Sequence, residues 1–124
     1  MQALETQNGE TIVANGAAEA NALGLTTQVP TREVFITSGP SRTLMLGNRA
    51  VELKHGHRWQ LALGKRPAGK AVRALSWLGP ARVHKTLRVL KAKLPAAEWE
   101  VMRATRAALP GWMAQAVGEV STRG

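Results

Sequence analysis

At 124 residues the chain is one domain, long enough for a modest core without staples. It has no cysteine, which excludes disulfides, zinc–thiolate sites and thiol catalysis. Its net charge of +9 comes from 17 Lys and Arg against eight acids, every one a glutamate. No apolar run approaches the ~20 residues of a membrane span, and the first residues lack a basic leader, so a soluble, cytoplasmic protein without a membrane partner is expected. The charge is uneven. Residues 1–31 hold three glutamates and no base; residues 32–93 hold 14 bases against Glu33 and Glu52; residues 94–124 hold three of each. The middle of the chain therefore implies an anionic partner, either nucleic acid or an acidic protein face.

In chain order, Thr11–Ala14 is a short β-like run. Asn15 and Gly16 offer an N-cap to a helix over 17–23, and Gly24 is a natural stop. Val34–Thr37 and Thr43–Leu46 read as strands around Gly39-Pro40-Ser41. Gly47-Asn48 is a two-residue hairpin signal, and 50–54 returns as a third strand with Val51 and Leu53 on one face. A three-strand antiparallel meander is expected. From Pro67 the period becomes helical, at about 100° per residue. Ala68, Ala71, Val72, Leu75 and Leu78 share one arc, and Gly79-Pro80 ends that helix. Val83, Leu87, Leu90 and Leu94 make the stripe of the next. Pro95 starts a third around Trp99, Met102 and Leu109, and a short fourth carries Met113, Val117 and Val120. The predicted class is α+β: an N-terminal helix and a short antiparallel β-meander over 1–58, then about four helices over 65–121, in one domain.

Few residues carry chemistry. Ser38-Gly39-Pro40-Ser41-Arg42 has the vocabulary of a phosphate loop, but a β-like run follows it and Pro40 lacks an N–H donor. A nucleophile elbow needs a strand-to-helix turn; hairpin punctuation is the better reading. His55 and His57 could begin a metal site, yet no Cys or Asp completes one, and His84 lies among bases. Glu33 and Glu52 are flanked by bases and suit surface pairing, while Glu98 and Glu100 complement a helix dipole. No nucleophile–base pair or carboxylate pair emerges, so no enzyme, no cofactor and no metal are expected.

The basic helices say more. Arg82, Lys85, Arg88 and Lys91 lie opposite the leucine stripe of 81–94. Lys70, Arg73 and Trp77 cluster opposite the apolar arc of 68–78, and an exposed tryptophan beside bases marks either a helix contact or a partner surface.

"NGAAEANALGLTTQVP", "VFITSGPSRTLMLGNRAVELKH", "RPAGKAVRALSWLG" and "LPGWM", in that order over about residues 10–115, resemble the C-terminal domain of AbiEi-type antitoxins and their winged-helix relatives. That resemblance implies a bacterial transcriptional regulator of a type IV toxin–antitoxin system. Its N-terminal winged helix would read operator DNA, and its C-terminal domain would counter a nucleotidyltransferase-like toxin without a required direct complex. The winged-helix half has no counterpart here. Residues 1–10 read as the tail of a helix entering Thr11–Ala14, so the chain is expected to be an excised domain or a short gene product.

The expectation is a non-enzymatic antitoxin or regulator domain acting through a basic surface. That surface is assigned to Arg42, Arg49, Lys54, His55, His57 and Arg58, with Lys65, Arg66, Lys70, Arg73, Trp77, Arg82, Lys85 and Arg88 from the helical part. The alternative is a protein-interaction or oligomerisation module, docking an acidic partner or a second copy without nucleic acid.

Overall fold

The computed structural model describes residues 9–122. The expected helix tail over 1–10 lies outside them, apart from Gly9 and Glu10, which are not helical. β1 is Ile12–Ala14, α1 Gly16–Ala22, β2 Glu33–Thr37, β3 Arg42–Leu46 and β4 Arg49–His55. There follow α2 (Arg58–Leu61), α3 (Pro67–Leu78), α4 (Val83–Lys93), α5 (Ala96–Ala104) and α6 (Gly111–Thr122), with 3₁₀ turns at Pro80–Arg82 and Arg106–Ala108. The class is α+β, as read from the sequence. No helix of the described residues is long and apolar enough to cross a membrane.

The ends of α1 follow local chemistry. Asn15 Oδ1 accepts from the Ala18 N–H at 3.0 Å, which satisfies one of the donors a helix start leaves open. Gly24 has φ +72°, and the N–H groups of Gly24 and Leu25 return to the carbonyls of Asn21 and Ala20, closing the helix in a Schellman motif.

The sheet corrects the expected meander. Its order is β1-β2-β4-β3: β1 pairs β2 antiparallel, β3 pairs β4 antiparallel, and β2 pairs β4 in parallel. Gly47-Asn48 does make the two-residue hairpin between β3 and β4, with Gly47 at φ +65°. The segment 38–41, however, joins strands that are not neighbours. Burial accounts for this arrangement. β4 carries Val51 and Leu53, both fully buried, and takes the centre; β3 exposes Thr43, Met45 and Leu46 and is left at the edge.

Side-chain bonds strap the 38–42 segment across the end of β4. Ser41 Oγ accepts from the His55 N–H at 2.8 Å, and the Gly39 carbonyl accepts from His55 Nδ1 at 2.8 Å. Thr37 Oγ1 donates to Glu10 and accepts from the Gly39 N–H, while Arg42 donates to Glu10 and to the Pro40 carbonyl. A Cβ on Gly39 would lie 2.5 Å from the Glu10 carboxyl carbon, so a side chain there would push that carboxylate away from Thr37 and Arg42.

Paired residues share a face of the sheet. Ile12, Val51 and Leu53 bury on one face, with Phe35 and Leu44 packed beside them. Val13, Val34, Ile36 and Lys54 belong to the other. The main core is helical: Val72 and Leu75 of α3, Leu87 and Leu90 of α4, Met102 of α5, and Met113 and Val117 of α6 meet there. The stripes predicted for these helices face it, except that Leu78 stands outside this cluster and Leu109 reaches it from beyond the end of α5.

Candidate nucleic-acid interface

Sequence position gives each base its element; pairing decides which of them keeps an available charge. Among the described residues every glutamate is matched to a base. Arg32 pairs with Glu52, Arg42 with Glu10 (2.8 Å), Arg49 with Glu33 (3.4 Å), Arg66 with Glu98 (2.9 Å), Arg73 with Glu19 (2.8 Å), Arg103 with Glu100 and His84 with Glu119 (2.9 Å). The excess positive charge therefore rests on the bases left over. Lys91 Nζ lies 5.7 Å from the Trp99 ring centroid, Lys93 donates to the Leu23 carbonyl and Arg106 to the Arg103 carbonyl.

Lys54, Arg58, Lys70, Arg82, Lys85 and Arg88 are exposed, with no ion pair or side-chain hydrogen bond among the described residues. All six were expected on the basic surface. Lys65 is exposed as expected and takes part in an interaction within the fold.

Other expected site residues are placed differently. Arg73 is not on the surface: its side chain is 1% exposed and bound to Glu19. The helical wheel set it opposite the apolar arc, but α1 packs on that side of α3 and buries it. Arg42 holds the strap to Glu10, and its charge is used there. Arg66 grips Glu98 through two bonds of 3.1 and 2.9 Å, and Glu98 also accepts from the Ala68 N–H at the start of α3. Glu98 thus caps a neighbouring helix as well as standing in the first turn of its own. These contacts hold its carboxyl below the ordinary carboxylate range, chiefly through Arg66, and raise the Arg66 guanidinium in turn.

His55 and His57 do not act as a pair. His55 ends β4, and because a carbonyl can only accept, its Nδ1 carries the proton given to Gly39. Its Nε2 is left unengaged. His57 caps α2, where its N–H donates to Gln60 Oε1, and its ring stacks on Trp59 at 6.2 Å.

Trp77 meets α1 and still reaches solvent. A Cβ on Gly16 would fall 2.5 Å from the Trp77 Cβ and 2.4 Å from the Arg73 carbonyl oxygen, a measure of how closely α1 and α3 approach. The Trp77 side remains 43% exposed. It lines a groove of about 320 Å³ with Lys54, Asn15, Gln60, Arg73 and Ser76. A second groove of about 570 Å³, lined by Thr11, Ser38, Arg58 and Leu61, shares His55 and Gly56 with the first. The two meet at the ends of the parallel strands β2 and β4.

Of the polar groove residues, Asn15 was read from the sequence only as a helix cap, and Gln60 and Ser76 were not singled out. Nothing in the spacing of positions 15, 60 and 76 marks them, since three separate elements bring them together. Unpaired Lys54 beside the open Trp77, with Arg58 in the adjoining groove, can bind a phosphate and a planar ring, and no carboxylate lines either groove among the described residues.

Residues 2–95 match a protein family described as a family of unknown function (DUF6088). No curated protein and no solved structure matches the chain.

Proposed function

The chain belongs to the DUF6088 family, and we propose that it is a non-enzymatic, cytoplasmic regulator domain that binds nucleic acid through an unneutralised basic surface. Its setting is a bacterial toxin–antitoxin-like system, as the resemblance to AbiEi-type antitoxins suggests. One observation carries the reading. All described glutamates are consumed by other bases, and the cations left without partners among the described residues lie between Lys54 and Arg88. Lys54 and Arg58 sit at the sheet end, Arg82 is exposed in the turn before α4, and Lys85 and Arg88 are exposed on α4 itself. Such charges hold phosphates without reading sequence.

Binding of labelled DNA and RNA is expected at low salt. Its affinity should fall linearly on a log–log plot against salt, by about 0.9 in slope per duplex phosphate contacted. Charge reversal at Lys85 and Arg88 together should weaken binding and flatten that slope. Absence of binding at low ionic strength defeats the proposal.

The edge strand β3 favours a second reading, self-association. Met45 is 65% exposed there, and Leu46 is also open to solvent. Sedimentation at rising concentration would reveal a dimer, and Met45→Lys should abolish it.

A further inference from the structure

We infer that the groove between β4 and α3 is a binding site for one unpaired nucleotide of a single-stranded nucleic acid. The inference rests on the nucleic-acid reading above and narrows it to one place.

Size comes first. At about 320 Å³ the groove is at the low end of the ~300–1,000 Å³ typical of small-molecule sites, so it suits one nucleotide and no folded segment.

Its walls supply the two chemistries that a nucleotide needs. Trp77 offers an indole ring that the fold leaves partly open, with its Cβ anchored against Gly16 of α1. Such a platform stacks on any base, and duplex DNA hides that base face inside its own stack. Lys54 brings an ammonium with no carboxylate partner among the described residues, suited to a phosphate.

Arg73 supplies an independent pointer. Its Nη1 donates to the Gln60 carbonyl at 3.1 Å and its Nη2 to Glu19 at 2.8 Å, but its buried Nε–H has no acceptor among the described residues. A buried donor without an acceptor is rare in folded proteins and calls for an explanation. Arg73 lines this groove and also the one beside Glu19, and its Nε is closed to solvent, so a base carbonyl, ring nitrogen or phosphate oxygen of a nucleotide would reach that donor only with a movement of the guanidinium.

The remaining lining is arranged to read a base edge. Asn15 and Gln60 each spend the side-chain oxygen inside the fold, on Ala18 and His57, and keep their NH₂ groups free. The Ser76 hydroxyl is also free. Next door, unpaired Arg58 and the open Nε2 edge of His55 line the adjoining groove, where the neighbouring phosphate of a strand would run.

The test titrates the whole chain against an eight-nucleotide thymidine strand and a duplex of equal length, both labelled, at low salt. Trp77→Ala should weaken single-strand binding about 5- to 150-fold, the weight of one base–aromatic stack, while Trp77→Phe keeps most of it. Lys54→Gln should weaken the single strand and lower its salt slope, whereas Lys85→Gln should weaken single strand and duplex alike. Circular dichroism checks each variant's fold. If Trp77→Ala does not fold, Lys54→Gln decides, because its side chain is exposed and unpaired. Unchanged single-strand affinity in folded Trp77→Ala, or in Lys54→Gln where that variant decides, overturns the groove, and a loss in Lys85→Gln would leave the basic-surface reading standing. No binding of either nucleic acid, with capture of an acidic protein instead, overturns both.

Discussion

Between α3 and α6, fifteen buried apolar side chains make a common core, whereas the apolar cluster on one face of the sheet has three buried members, Ile12, Val51 and Leu53, among the described residues. The sheet half is joined by polar means. Glu19 of α1 reaches Arg73 of α3 at 2.8 Å with both side chains buried, and Glu10 ties the ends of β2 and β3 through Thr37 and Arg42. A hydrophobic core is non-directional and tolerates repacking, while a buried ion pair fails when either partner is lost. The contrast teaches where this fold is brittle: at its few buried charges, one of which, Arg73, also lines the groove.

Breaking that link gives the largest expected effect. Glu19→Ala leaves the Arg73 guanidinium buried and uncompensated, a cost of about 3–5 kcal/mol in urea unfolding. The double change Glu19→Leu with Arg73→Met should recover most of it, since an apolar pair of similar volume avoids the desolvation of both charges. Failure of the double change to recover stability would mean that the link matters for shape as well as charge.

Acid gives a smaller and graded effect that compares the two halves. The Thr37 hydroxyl and Arg42 hold Glu10 below its ordinary value of 4.5, and Arg66 with the Ala68 N–H does the same for Glu98. A carboxyl depressed in the folded state contributes stability that is present above the unfolded value and is lost as pH falls through the folded one. The urea midpoint should therefore hold at neutral pH and decline below about pH 4.5. Glu10→Gln should remove the part of this slope that reports the strap, and Glu98→Gln the part that reports the α3–α5 contact. Equal slopes in all three proteins would refute the assignment.

The smallest effect is expected at Arg49 and Glu33. They meet at 3.4 Å with both side chains largely in water, so Arg49→Ala should cost under about 1 kcal/mol and lose even that in high salt.

Much of this was legible from the chain itself. The helix ends at Asn15, Gly24 and Gly79-Pro80, the stripes of α3 to α6 and the Gly47-Asn48 hairpin all rest on local chemistry, which a sequence displays directly. The parallel pairing of β2 with β4 was not legible, because each strand shows its own pattern but not its neighbour. Arg73 was misplaced for a related reason. Its partner lies 54 residues away, on a helix whose apolar side gives no sign of a glutamate meant for burial. Arg58–Leu61 was missed because four residues are too few to show a period. Of the candidate site, the bases and Trp77 could be named in advance. Which of them kept a free charge depended on where the glutamates went, and that is a tertiary fact.

The strand order has a consequence for how the chain comes together. As the polypeptide is made, β2 emerges before the strand that will flank it in the sheet's centre, so it has only β1 to pair with until residue 55 has appeared. The β3–β4 hairpin closes over two residues and is the quick local event; wedging β4 between β2 and β3 is the slow, non-local one. The bonds from Ser41 and Gly39 to His55 span 14 and 16 residues and extend the β3–β4 pairing past Arg42, so they belong to the hairpin and do not wait for β2. They fasten the open end of the hairpin, while the groove beside Lys54, which Val34 and Ile36 of β2 also line, has a complete wall only once β2 and β4 have met.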